Sequence, residues 1–216
     1  MKKINWNILD KKRLKMLPQL EFLRKDFGFY LAGGTALALQ IGHRTSVDFD
    51  FYSPRNFDPK EVFDSLKKEL RAIKSIRMAD GTLVAQVKDV GMSFFRYEYP
   101  LIKPLMRIDY IDLLSIEDIA AMKLIAIVQR GVKRDFVDVY YVLKIIGLDK
   151  IIALTEKKYQ AFNKYIGLRA LTYFQDAEEN KGNRKLELME KINWDKIKKE
   201  IARIVNKYTL DLVSKG

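Results

Sequence analysis

Two aspartates separated by one residue, Asp48 and Asp50, stand in the segment Ser46-Val47-Asp48-Phe49-Asp50-Phe51-Tyr52. Alternation along a strand puts both carboxylates on one face and Val47, Phe49 and Phe51 on the other, the core face. Like charges held this close favour a cation between them. Mg²⁺ suits the pair, because it is hard, takes oxygen ligands, and binds through one or two carboxylates together with substrate phosphates; Mn²⁺ is the natural alternative. On its own, Asp-x-Asp fits equally well a half-exposed strand with solvated acids.

The residues upstream favour the site. Leu31-Ala32-Gly33-Gly34-Thr35 passes from strand to helix through two glycines. Glycines let backbone N–H groups approach an anion closely, and the start of the helix adds its positive end. Gly33, Gly34 and Thr35 therefore read as a phosphate cradle, and Arg44 and Ser46 join the phosphate-binding set. The sole histidine, His43, is read as structural.

Further along, Lys123 is the only charge in the apolar run Ile119 to Val128. A helix apolar nearly all round is buried, so its lysine needs an exit to solvent or an anionic partner. A triphosphate is one such partner. Asp135 and Asp138, three residues apart, share a face of the next helix. The short turn between makes the helices antiparallel neighbours, so Lys123 is expected to meet one of these acids near a cleft.

These residues need elements to hold them. Periodicity predicts a helix over residues 9–27, a strand over 29–32, a helix over 35–41 and a strand over 47–52. Asp58-Pro59-Lys60-Glu61 opens a helix to about Leu70. Residues 72–98 read as successive strands, with turns at Asp80-Gly81 and Val90-Gly91. Helices follow from Ile116 to about Gln129 and from Arg134 to Ile146, and the remainder is helical and basic. The expected fold is α+β: a small mixed sheet with helices over residues 1–110, then a helical bundle over 111–216 packed on it as one compact unit.

Composition sets limits. The 216 residues contain no cysteine, which excludes disulfides, thiol nucleophiles and zinc–thiolate sites and fits a reducing cytoplasm. No apolar run is long enough to span a membrane, and no signal peptide is evident. The net charge of +12 suits an anionic partner. Residues 181–216 alone carry ten Lys or Arg against five acids.

Gly33-Gly34-Thr35 followed by Gly42-His43-Arg44-Thr45-Ser46-Val47-Asp48-Phe49-Asp50 resembles the first motif of the DNA polymerase β nucleotidyltransferase superfamily. More narrowly, it is similar to the AbiEii/AbiGii toxin branch. Asp118 to Leu124, Arg130-Gly131 and Arg134-Asp135-Phe136-Val137-Asp138 look like the later motifs of that branch, and Phe94 to Pro100 also looks familial. The resemblance covers roughly residues 29–145. It implies in-line transfer of a nucleotide from an NTP to an RNA (tRNA) or protein acceptor, with a cognate antitoxin as regulator. Its functional lysine is Lys123, and its late aspartate is Asp135 or Asp138. The superfamily often adds a third carboxylate, for which Asp109 is the one candidate. Two other readings remain: a non-catalytic nucleotide- or RNA-binding module keeping the fold, and an antibiotic nucleotidyltransferase.

Overall fold

The computed structural model describes residues 3–179 and 187–214. Two compact units divide the chain, Met1–Ser115 and Ile116–Gly216.

The first unit opens with a 3₁₀ turn (Trp6–Ile8), then α1 (Lys11–Met16), a second 3₁₀ turn (Leu17–Leu20) and α2 (Glu21–Phe27). The single helix expected over 9–27 is thus interrupted. Pro18 lies in the 3₁₀ turn, where it has no N–H to continue the α ladder. Next come β1 (Tyr30–Ala32), α3 (Gly33–Ile41), β2 (Phe49–Ser53), α4 (Pro59–Glu69), β3 (Ile73–Ala79), β4 (Thr82–Val87), β5 (Val90–Arg96), β6 (Met106–Ile108) and β7 (Ile111–Leu113).

All seven strands form one mixed sheet in the order β3-β4-β5-β2-β1-β7-β6. Register decides what each face carries. Leu31 pairs with Phe51 and Leu113, Phe51 with Phe94, Phe94 with Leu83, and Phe49 with Met92. These side chains are at most 1% exposed and form the core face. The opposite face carries Ala32, Asp50, Ser93 and Val84 in one row and Tyr30, Tyr52, Phe95 and Thr82 in the next. From Asp50 and Tyr52 outward to β4, this face is only half-buried.

Two expectations change here. Val47 was placed on the core face but is 41% exposed. The ladder to β5 starts at Phe49 and the ladder to β1 at Asp50, so strand alternation does not extend back to Val47. The expected turn at Val90-Gly91 falls instead at Lys88-Asp89, with Lys88 at φ +56°, and Gly91 lies inside β5 opposite Gln86. The β6–β7 hairpin was not read from the sequence.

The second unit is helical: α5 (Ile116–Arg130), α6 (Lys133–Ile146), α7 (Leu148–Lys158), α8 (Lys164–Thr172), α9 (Gln175–Glu179) and α10 (Trp194–Val213). Its core gathers Ile119, Leu124, Phe136, Tyr140, Ile152, Leu171, Ile197 and Ile201, all buried. Trp194 seals one end by packing edge-on against Phe136 and Phe174. Asn193 caps α10 by accepting from the Lys196 N–H at 2.8 Å. Residues 180–186 and 215–216 of the basic C-terminal stretch lie outside the described residues.

Candidate functional site

The α3 helix starts earlier than its sequence pattern indicated. Gly33 and Gly34 are its first turn, and no side chain caps it. Gly33 takes φ +63°, which turns β1 into the helix at once. Ala32 pairs with Asp50 on the neighbouring strand, so the Asp50 carboxylate lies over this turn. A Cβ on Gly33 would sit 3.0 Å from Asp50 Oδ2. The helix start, with its N–H groups and positive end, is therefore directly beside the second acid of the pair.

Asp48 immediately precedes β2 and is half-buried. Its Oδ1 accepts from the Gly91 N–H at 3.2 Å. Its backbone carbonyl accepts from the Thr35 hydroxyl, which also lies 2.7 Å from Ser46 Oγ. The residue before it is pinned too, because Arg13 Nε donates to the Val47 carbonyl at 2.7 Å. Arg13 is itself only 4% exposed and forms an ion pair with Asp10. The backbone around Asp48 is thus fixed by α3 and by α1, and its carboxylate by strand β5.

The sequence-derived residues of this unit fall into two kinds. Gly33, Gly34, Ser46, Asp48 and Asp50 gather at one end of β2. Thr35 belongs to the same cluster, but it is 2% exposed and its hydroxyl bonds to the protein. Arg44 is likewise buried and donates from Nη1 to the Thr45 carbonyl at 3.0 Å. Gly91 and Arg13 were missed. A glycine within a strand signals close approach of another group, which for Gly91 is Asp48. The arginine left no sequence signal.

Two half-buried carboxylates beside a helix start make a donor set that fits a hard divalent cation, with its other positions left for water and substrate phosphate. Among the described residues no group of three or more acidic, histidine or cysteine side chains is placed to hold a metal ion. Asp109 is accordingly not a third member. It occupies the β6–β7 turn at φ +27°, where the chain reverses.

In the second unit, α5 and α6 bring Lys123, Asp135 and Asp138 together. Lys123 Nζ lies 2.8 Å from Asp135 Oδ1 and 2.6 Å from Asp138 Oδ2. It thus meets both acids, where the sequence suggested one. Arg130 adds a two-pronged contact to Asp135, at 2.8 and 3.1 Å. Burial pushes the Asp135 carboxyl up, but the Lys123 ammonium and the Arg130 guanidinium outweigh it and hold it below its ordinary value. A separate pair, Lys158 Nζ with Asp118 Oδ1 at 2.7 Å, ties α7 to α5 with both side chains fully buried.

The family model described as nucleotidyl transferase AbiEii toxin, type IV TA system, matches residues 17–110 and 89–212. An uncharacterized protein of Aquifex aeolicus (strain VF5) is 36% identical over 191 residues, covering 83% of this chain and 87% of that one. A Helicobacter pylori protein described as a candidate nucleotidyltransferase superposes with a TM-score of 0.57 at 17% identity, over 96% of this chain and 99% of its own. The nucleotidyltransferase toxin MenT4 of Mycobacterium tuberculosis H37Rv superposes with a TM-score of 0.52 at 13% identity, over 89% of this chain and 80% of that one. At such identities these likenesses establish the α+β fold. The family-model match along nearly the whole chain places it in the AbiEii toxin family, and the protein is a nucleotidyltransferase of that family.

Proposed function

We propose that this nucleotidyltransferase uses Mg²⁺, or Mn²⁺ in its place, to move a nucleotide from an NTP onto an RNA such as tRNA. The observation that carries the reading is the pair Asp48 and Asp50 fixed at the glycine start of α3.

Asp48 and Asp50 hold the cation. Held there, the cation would supply positive charge to offset the charge that develops during transfer. The uncapped N–H groups of Gly33 and Gly34 bind triphosphate oxygens at the positive helix end. Thr35 acts through Asp48, whose backbone it holds. A ribose hydroxyl oxygen of the acceptor bonds to the α-phosphorus. The bond between the α-phosphorus and the α–β bridging oxygen breaks, pyrophosphate leaves with that electron pair, and the hydroxyl proton passes to solvent. Positioning and charge suffice for such a transfer, without a protein nucleophile. For Lys123 the role follows the family motif alone: within the helical unit, Asp135 and Asp138 hold and orient its ammonium.

The net charge of +12 and the Lys- and Arg-rich α10 favour RNA over a protein acceptor. No described helix is long and apolar enough to cross a membrane. A cytoplasmic site of action and a cognate antitoxin complete the proposal. The test is transfer from each α-³²P-labelled NTP, with and without Mg²⁺, in mixtures of RNA, protein and aminoglycoside. Metal-dependent labelling of RNA is expected. Labelling of protein or aminoglycoside alone, or none with any NTP, overturns the proposal.

A further inference from the structure

The sheet face that carries Asp50 also carries a row of aromatic rings that stay partly exposed, beginning beside the buried Tyr30, on which Tyr52 stacks. Tyr52 follows Asp50 by two residues and pairs with Phe95, their ring centroids 5.3 Å apart. The same alternation continues beyond β5, where the Tyr97 N–H donates to the Ser53 carbonyl at 2.8 Å. Tyr97 stands edge-on to Tyr52 at 5.2 Å, and Tyr99 lies 5.1 Å from Tyr97. Tyr52, Phe95 and Tyr97 are half-buried and Tyr99 is 49% exposed. The hydrophobic core of this unit lies on the other face, around Phe49, Phe51 and Phe94.

Cations share the aromatic face. Through β4, Lys74 registers with Gln86 and Gly91, next to Asp48, and Arg77 registers with Val84 and Ser93, in the row of Asp50. Both are exposed. A row of half-exposed rings beside exposed cations is the chemistry of single-stranded nucleic acid recognition: rings stack on bases, and cations track phosphates.

We infer that Tyr52, Phe95, Tyr97 and Tyr99 form a stacking platform for the unpaired end of a single-stranded RNA, which presents its terminal ribose to the Asp48–Asp50 end of β2. The inference rests on the RNA-transfer reading above and gives its acceptor a form: unpaired, and recognised by base faces with little sequence preference.

The test is fluorescence anisotropy of the full chain with a labelled short oligoribonucleotide and with an abasic strand of the same length. Tyr97→Ala and Tyr99→Ala are each expected to weaken binding of the intact strand about tenfold. Tyr97→Phe should restore it, and binding of the abasic strand should not change. Tyr165→Ala, which removes an exposed tyrosine of the helical unit, should bind as the parent does. Unchanged affinity in both alanine variants, or an abasic strand that binds as tightly as the intact one, overturns the platform. Transfer to RNA with the same KM in parent and Tyr97→Ala/Tyr99→Ala proteins overturns the platform while RNA transfer stands. Labelling of protein alone, with no oligonucleotide binding, overturns both.

Discussion

The Gly91 N–H donates to Asp48 Oδ1 at 3.2 Å, and a Cβ at position 91 would lie 2.7 Å from that same oxygen. Strand β5 therefore approaches the first acid of the pair so closely that a side chain at position 91 would displace the Asp48 carboxylate. Gly91→Ala should turn the Asp48 carboxylate away and reduce transfer about a hundredfold. Because alanine is easier than glycine to order within a strand, stability should change by less than about 1 kcal/mol. Parallel activity and thermal-melt measurements check this, and full activity in the variant would show that the Asp48 position is not critical.

Asp48→Asn and Asp50→Asn should each reduce transfer about a thousandfold, equivalent to about 4 kcal/mol of barrier. Without metal, both variants should melt at higher temperature than the parent, because a like-charge repulsion is gone. Added Mg²⁺ should then stabilise the parent but not the variants, as read by melting in EDTA against Mg²⁺. Equal Mg²⁺ shifts in all three proteins would place the cation elsewhere.

Thr35 acts through another residue, and its substitutions should reveal that. Thr35→Val keeps the shape but leaves the Asp48 carbonyl and Ser46 Oγ without that hydroxyl partner. A loss of about 1–2 kcal/mol is expected, together with reduced transfer. Thr35→Ser should recover both, and denaturant titration beside the transfer assay checks it.

The acid limb of stability should report on Asp135. Its carboxyl lies below the ordinary 3.8 in the folded protein, so the stability it contributes is fully present above that value. It is lost as pH falls from there through the lower folded value. Asp135→Asn should destabilise the protein by about 3 kcal/mol at neutral pH, since Lys123 and Arg130 lose a buried carboxylate. It should also flatten the fall in stability below about pH 4. Melting curves across acidic pH for parent and variant decide this.

What the sequence made legible was local. Gly33-Gly34 and the acids of β2 lie on consecutive elements, and Lys123 lies on the helix before that of Asp135 and Asp138, so short connections bring each set together. What it hid was long-range. Gly91 is 43 positions from Asp48, and its role depends on β5 pairing parallel to β2. Arg13 reaches the Val47 carbonyl across 34 positions. Pro18 carried local conformational information that a periodicity reading passed over, whereas Lys88 gave no sign of its positive φ. The β6–β7 hairpin was hidden because its strands are three residues each, too short to show alternation.

Strand β3 is the outer edge of the sheet, and every residue from Lys74 to Ala79 is exposed, including Ile76 at 60% and Met78 at 41%. An open edge with apolar side chains invites a foreign strand to add to it. The register shift between Ser75 and Arg77 kinks this edge, and Lys74 and Arg77 place charge along it. A second copy approaching edge to edge would meet a broken hydrogen-bond ladder and like charges. The same bulge that brings Arg77 into the row of Asp50 therefore also protects the protein from self-association into extended sheets.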